Sequence, residues 1–468
     1  RIGDHLRTQK PPPGWSDEDQ ARWYARHFVN VVWGEKFGPP LPYEMRRKYG
    51  LGLMLEVSLP PTPEGTHWGD TAHKSPWWDD PANASAIYWW GRPSWYGKVK
   101  VVDPFDPVGQ QAYLDHFNNL LEQNPDTKIL YCIFGDYSWA PNEDSTRVSD
   151  GKPFGHTQEE AIREIMRVMR EAIGERDVIP AVWMWLLFPK QGKERFMEEM
   201  TADGIGVMYN EASDNDCWTY LRDNFDNVAL KLGPYGRTKF GSSYIPLVSV
   251  GGTCESVRPG VGMPLPHVGA TKTLRLYDAG VEQFIIWWGS CEGWAYQANI
   301  EVLAELVWNP QAFDRTHRDP FNPQDPEPLI GYIARRDFGP VADDVLRFWE
   351  AFDRALVDVN LNGEKTGLQN QSWYQRTGNY LIFLKAQRIP LIPSELVRRE
   401  KVQSLFPWIL RPHAQENWAT VRAKLADAIA QLDAIRRTPD LPADVQWRLD
   451  TMYLNILAFH LVFANMHN

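Results

Sequence analysis

Cysteine is scarce in this sequence, and other features that would assign a function directly are missing. The four cysteines, Cys132, Cys217, Cys254 and Cys291, show no CxxC or Cys/His spacing, so a zinc site is not expected. The sequence has no GxSxG motif and no glycine-rich phosphate loop, which argues against a serine hydrolase and a nucleotide-binding enzyme. The sequence therefore predicts neither a metal nor a cofactor.

Long apolar runs and an excess of basic residues are also absent. No window approaches the roughly 20 apolar residues that a membrane span requires, so no membrane partner is expected. The net charge of −11 argues against a nucleic-acid partner, because phosphate binding requires a basic face. The chain opens with Arg1 rather than Met, which indicates that a signal peptide or an upstream segment has been removed. We expect a secreted or periplasmic protein, and the sequence sets no oligomeric state.

Tryptophan, in contrast, is abundant, with 22 residues in a chain of 468. Six of them crowd into the Pro- and Asp-rich segment 58–108. Flat apolar rings with one polar N–H suit the C–H faces of sugars, which makes a carbohydrate the expected partner. The alternative is a long loop that packs on itself as a lid. The indoles predicted to contact substrate are Trp77, Trp78, Trp89 and Trp90.

Short apolar or aromatic runs alternate with helical patterns over the first 310 residues, as in repeated βα units. The segment 158–173, for example, has apolar residues at the spacing of a surface helix. Eight runs of this kind favour a closed (β/α)₈ TIM barrel over an open sheet. The eight predicted strands cover 27–33, 51–57, 128–134, 178–185, 204–210, 227–233, 245–251 and 283–289.

The sequence predicts two domains in an α/β protein. Residues 1–313 form the catalytic barrel, and its long loop 58–108 leaves the second predicted strand at the catalytic face. Several prolines then punctuate a linker, and 314–468 form a helical C-terminal domain. The predicted helices of that domain are 341–358, 395–405, 415–437 and 443–465.

Carboxylates follow most of the predicted strands, at the end of the barrel where such folds place their chemistry. They are Glu35, Glu56, Asp136, Glu211, Glu255 and Glu292. Acids that converge on one rim repel each other, which raises at least one pKa and yields a protonated acid beside an ionised base. Glycoside cleavage requires such a pair. The sequence therefore predicts a glycosidase that acts on a polysaccharide or oligosaccharide.

Other polar residues lie beside these acids. Tyr137, Tyr209 and Tyr235 are expected to hydrogen-bond rim carboxylates or, in a lyase, to serve as acid or base. Arg237 follows the sixth predicted strand and is available to meet a sugar carboxylate or to pair with a rim acid. Glu56 closes the second predicted strand and is a candidate contact to substrate.

Three short motifs resemble the (β/α)₈ glycoside hydrolases that carry an Asn-Glu pair, a second Glu after strand seven and a Trp on strand eight. The matching residues are Asn210-Glu211, Glu255 and Trp287-Trp288. The resemblance implies that Glu211 is the acid/base, Glu255 the nucleophile and Asn210 a residue that orients a hydroxyl. It also implies that Trp287 or Trp288 forms the floor of the subsite. In that group the Asn-Glu pair belongs to the fourth strand, whereas here it follows the fifth run.

The segment from Trp308 to Arg347 is also similar to the helical appendages of α-glucuronidase and hexosaminidase-type barrels, which implies an acidic or amino sugar. Asp136 and Glu292 are the reserve candidates for the catalytic pair. Two alternatives stay open: a polysaccharide lyase on the same barrel and a non-catalytic carbohydrate-binding barrel.

Overall fold

The fold is known from a computed structural model, which describes most of the N-terminal half and several parts of the C-terminal half. The described residues are 2–5, 16–26, 30–34, 41–57, 76–91, 99–134, 139–183, 199–200, 203–210, 244–249, 284–287, 297–309, 328–357 and 412–467, with positions 266 and 270.

Eight parallel strands close into a barrel, since the first strand pairs with both the second and the last. In barrel order they are Ile2–His5 (β1), Val31–Gly34 (β2), Gly52–Val57 (β3), Thr127–Ile133 (β6), Ile179–Trp183 (β8), Gly206–Asn210 (β9), Tyr244–Ser249 (β10) and Phe284–Trp287 (β11). Because all of these strands are parallel, their carboxyl ends lie at one rim.

The set of barrel strands differs from the prediction, although both contain eight strands. The barrel begins at β1 rather than at residue 27, and β1 was missed because the sequence Ile-Gly-Asp-His contains a single large apolar residue. The predicted strand at 227–233 lies outside the described residues, and β9 pairs directly with β10. The run that ends at Asn210 is therefore the sixth barrel strand rather than the fifth.

The described residues include a helix after five of the barrel strands, β1, β2, β3, β6 and β11. These helices are Asp17–Arg26 (α1), Tyr43–Tyr49 (α2), Pro107–Gln123 (α3), Gln158–Ile173 (α4) and Gln297–Trp308 (α5). The predicted helix 158–173 matches α4, which begins at a capping box between Thr157 and Glu160. Its apolar face, including Ile165 and Met169, is fully buried against the barrel wall.

Side chains alternate between the two faces of each barrel strand. In β3, Leu53, Leu55 and Val57 belong to the core shared with the surrounding helices. Met54 and Glu56 are also buried but have the opposite parity, so they face the barrel interior. This alternation places a carboxylate inside the barrel near the carboxyl end of β3.

A second, antiparallel sheet of three strands is built from connections that leave the carboxyl ends of β3 and β6. Its strands are Ile87–Trp89 (β4), Lys100–Val102 (β5) and Thr146–Arg147 (β7). We call it the lid sheet. Two of its strands come from the predicted loop 58–108, and β7 comes from the connection after β6. Connectivity thus puts the lid sheet on the side of the rim.

The described part of the C-terminal region is helical. Its helices are Pro328–Phe338 (α6), Ala342–Val357 (α7), Pro412–Arg436 (α8) and Ala443–His467 (α9). Successive helices from α5 to α9 contact one another. Three of the four match predicted helices, and the predicted helix 395–405 lies outside the described residues. None of the described helices is long and apolar enough to span a membrane.

Candidate active site

The rim of the barrel is formed by the last residues of eight strands. They are His5, Gly34, Val57, Ile133, Trp183, Asn210, Ser249 and Trp287. Asn210 and Trp287, two predicted site residues, therefore end strands at this rim, and the predicted Tyr209 precedes Asn210 in β9. The register continues from β10 to β1, since Ser249 pairs with Trp287 and Trp287 pairs with His5.

The predicted catalytic residues follow these strand ends in the sequence but lie outside the described residues. The same holds for several predicted contacts. The residues concerned are Asp136, Glu211, Glu255, Glu292, Tyr137, Tyr235, Arg237 and Trp288. Asn210 ends the sixth barrel strand, so the Asn-Glu pair lies two strands beyond its place in the hydrolase pattern. The fourth strand, β6, is the one that precedes Asp136.

Glu56 is the rim carboxylate whose surroundings the structure shows directly. Its side chain is 3% exposed, and its Oε2 accepts a hydrogen bond of 3.1 Å from the Oη of Tyr131. The two residues are register partners on β3 and β6, 75 positions apart in sequence. Tyr131 was not predicted as a site residue. The sequence signal that could have identified it was a hydroxyl in the middle of an apolar run, because a buried hydroxyl requires a hydrogen-bond acceptor.

The neighbouring Cys132 is a free thiol that faces the other side of the barrel wall. Burial raises the pKa of Cys132 well above its usual value, and the negative charge of Glu56 raises it further. The thiol therefore stays protonated at neutral pH, which is unsuitable for a nucleophile.

The tryptophans of the predicted loop divide into packed and partly exposed rings. Trp78 is 3% exposed and packs edge-on against Trp77, with ring centroids 5.0 Å apart. The Lys100 ammonium lies 6.0 Å from the Trp78 ring and 5.9 Å from the Trp89 ring. Trp77, Trp89 and Trp90 keep part of their surface exposed. Among the loop tryptophans that the structure describes, these three have surface left for a ligand.

Trp90 extends β4 toward the connection after β6. Its ring meets Trp139 at a centroid distance of 6.4 Å and an interplanar angle of 63°. The next residue, Gly91, donates its backbone N–H to Ser145 Oγ, and that hydroxyl donates to Asn142 Oδ1. Trp139 and Asn142 were not predicted, because β7 recruits their segment into the lid sheet through long-range pairing.

Two N–H donors in this cluster are buried and find no acceptor among the described residues. They are Trp90 Nε1 and Asn142 Nδ2. Buried donors in native proteins are nearly always paired with protein, water or ligand. The described residues contain no group of His, Cys, Asp and Glu that could hold a metal ion.

The chain is similar to known proteins in its fold and not in its sequence. No protein-family model and no curated protein matches the chain in sequence. A solved GH138 enzyme targeting pectin rhamnogalacturonan II is similar over 100% of this chain and 72% of its own, with a TM-score of 0.50 and 10% identity. The fold resembles that of glycoside hydrolases. A family GH115 4-O-methyl-α-glucuronidase with specificity for decorated arabinogalactans gives a TM-score of 0.49 at 11% identity, over 100% of this chain and 54% of its own.

Proposed function

We propose that this protein is a glycoside hydrolase that cleaves a polysaccharide or oligosaccharide at the rim of a (β/α)₈ barrel. The observation that carries the proposal is the closed parallel barrel, which gathers all eight strand ends, His5, Asn210 and Ser249 among them, at one rim. Glu56 lies inside the barrel below that rim, and the lid sheet adds partly exposed indoles. Carboxylates with aromatic surfaces are the groups that sugar cleavage requires.

The proposed catalytic pair is Glu211 and Glu255, with Asp136 and Glu292 in reserve. Glu211 directly follows Asn210 at the end of β9, and Glu255 follows β10 after five intervening residues. Because β9 and β10 are adjacent in the barrel, both acids leave neighbouring strand ends. One would protonate the leaving oxygen while the other attacks the anomeric carbon or activates a water.

The finer parts of the proposal follow the same reasoning. Residues 314–468 would form a helical domain against the barrel, which the contact between α5 and α6 supports. The substrate would be a polysaccharide that carries acidic sugars, and the pectin rhamnogalacturonan II that the GH138 enzyme targets is the first candidate. A secreted or periplasmic location suits a polymer of this size.

The test is a screen of neutral and acidic polysaccharides, including rhamnogalacturonan II. Hydrolysis releases reducing ends without the ultraviolet absorbance of an unsaturated uronate. That absorbance would identify a lyase, and binding without product would identify a carbohydrate-binding barrel.

Replacement of Glu211 or Glu255 by Gln should lower kcat at least about 100-fold and leave the fold intact, because proton transfer contributes about 10²–10⁴-fold. Glu35→Gln is the matched control and should change kcat little. The pair is wrong if both variants keep activity within about tenfold of the parent, a barrier change of only about 1.4 kcal/mol.

A further inference from the structure

The Glu56–Tyr131 contact lies inside the barrel rather than in its wall. Glu56 has the parity of Met54, and Tyr131 has the parity of Ile129, whereas Leu55, Leu130 and Cys132 belong to the core outside the barrel. Both side chains are almost completely buried, at 3% and 0% exposure.

The contact also lies close to the rim. Glu56 is the penultimate residue of β3, and Tyr131 is followed by two further residues of β6. Barrels of this type place their chemistry at the carboxyl ends of strands, while residues that only pack fill the lower layers. A carboxylate at this height is thus in the layer that a bound sugar would meet.

The next positions in the same row are small. Tyr131 pairs with Ala181 on β8, and Ala181 pairs with Gly206 on β9. Ala181 therefore takes up little volume beside the phenol, whereas Gly206 is the first residue of β9 and lies at the end of that strand away from the rim.

A carboxylate inside a barrel is costly unless hydrogen bonds hold it, and apolar residues usually fill these positions. Tyr131 Oη donates to Glu56 Oε2, which fixes the orientation of the carboxylate. An oriented carboxylate accepts hydrogen bonds only, and sugar hydroxyls are donors that match it.

We propose that Tyr131 is a positioning residue that orients Glu56 to accept a hydrogen bond from a sugar hydroxyl at the floor of the barrel mouth. This inference rests on the proposed carbohydrate site. It assigns Glu56 a direct contact with the substrate and gives Tyr131 a role that acts through Glu56.

The experiment measures the affinity of the full-length protein for neutral oligosaccharides and for fragments of rhamnogalacturonan II by titration calorimetry. Tyr131→Phe and Glu56→Gln should each weaken binding about tenfold or more, because a hydrogen bond to a charged group is lost or weakened. The double variant should bind no more weakly than Glu56→Gln alone, since Tyr131 acts through Glu56.

Tyr113→Phe is a matched control. Tyr113 is also 0% exposed, and its Oη donates to the backbone oxygen of Val102 at 3.0 Å, outside the barrel. This control should lower the melting temperature about as much as Tyr131→Phe and leave affinity within about twofold. A purely structural role for Tyr131 would instead give the two variants the same affinity.

The outcomes separate the inference from the proposed function. Sugar binding by the wild type without product would exclude hydrolysis, and the affinities of the variants would still decide the role of Tyr131. If Tyr131→Phe does not fold, Glu56→Gln decides, and affinity equal to the wild type overturns the inference. A wild type that binds none of these sugars overturns both.

Discussion

Two buried carboxylates in this molecule occupy different kinds of place. Glu56 faces the interior of the barrel near its rim and accepts a hydrogen bond from a phenol. Glu301, 1% exposed, lies on α5 and forms an ion pair with Arg336 of α6, which also pairs with Asp337. We propose that the first contacts a ligand, and the second connects a barrel helix to the C-terminal helices.

The two carboxylates are therefore expected to have different roles, Glu56 in ligand binding and Glu301 in the stability of the fold. A buried ion pair between helices is retained when both partners stay, and removal of one partner leaves a charge without compensation. For Glu56 we expect a replacement to alter chiefly what the barrel mouth can bind. We expect a single variant to lower mainly the stability or mainly the sugar affinity. A variant that lowers both equally would contradict this division between binding and stabilising residues.

The largest effect on stability is expected at Arg336. Arg336→Met leaves Glu301 and Asp337 buried without their shared guanidinium, and we expect a loss of about 3 kcal/mol in the free energy of unfolding. This is the lower end of the range for a broken buried pair, because 38% of the Arg336 side chain is exposed. Chemical denaturation measures it.

The control for this prediction is Arg347→Met, which removes an exposed i,i+3 pair with Asp344 on α7. Its effect should stay below about 1 kcal/mol. Sugar affinity below the melting temperature should be unchanged in both variants. A loss of affinity in Arg336→Met would show that the helical contact reaches the barrel mouth.

A smaller effect, on affinity, is expected at the lid sheet. Trp90→Leu removes the ring that meets Trp139, and we expect sugar binding to weaken by about 0.5–1.5 kcal/mol, the range for one aromatic contact. Trp78→Phe is the control, because Trp78 is 3% exposed and its ring packs in the core. That control should lower the melting temperature and preserve affinity, as titration calorimetry and thermal unfolding will show.

The fold was largely predictable because its signals are local. Seven of the barrel strands coincide with apolar runs, and α4 combines a capping box with a helical apolar face. The strand β1 was not predictable from periodicity, since its own sequence has little apolar content. Its pairing with β11 and β2 holds it in the barrel. The run at 227–233 has strand-like composition, yet β9 and β10 are neighbours in the barrel.

The site was less predictable because its contacts are long-range. Glu56 was selected from its position after an apolar run, but its partner Tyr131 is 75 residues away and follows only from the register of β3 and β6. Trp139 reaches Trp90 because β7 joins the lid sheet. Sequence spacing carries no information on either contact.

The smallest effect on stability is expected from two buried aspartates, one near the barrel rim and one in the C-terminal helices. Burial raises the pKa of Asp103, next to the lid sheet, and burial likewise raises the pKa of Asp337 on α6. In each case the folded state holds its proton at a higher pH than the unfolded chain does. Stability from these groups therefore rises as the pH falls through the folded pKa and is lost as the pH increases.

Replacement by Asn should remove this pH dependence at both sites. The amide oxygen that Asp103→Asn introduces can still accept the Phe105 N–H, which now donates to Asp103 Oδ1 at 2.8 Å, so this variant should raise the melting temperature slightly. Asp337→Asn removes a buried negative charge and keeps an amide oxygen that can accept from Arg336, which now donates to both carboxylate oxygens, so it should also raise the melting temperature slightly. Thermal unfolding from mildly acidic to neutral pH gives the slope of the melting temperature against pH for both variants.

If Asp103→Asn keeps the parent's slope, burial of that carboxyl does not control stability in this pH range. If Asp337→Asn instead lowers the melting temperature at neutral pH, the ion pair with Arg336 stabilises the fold by more than burial of the carboxylate costs.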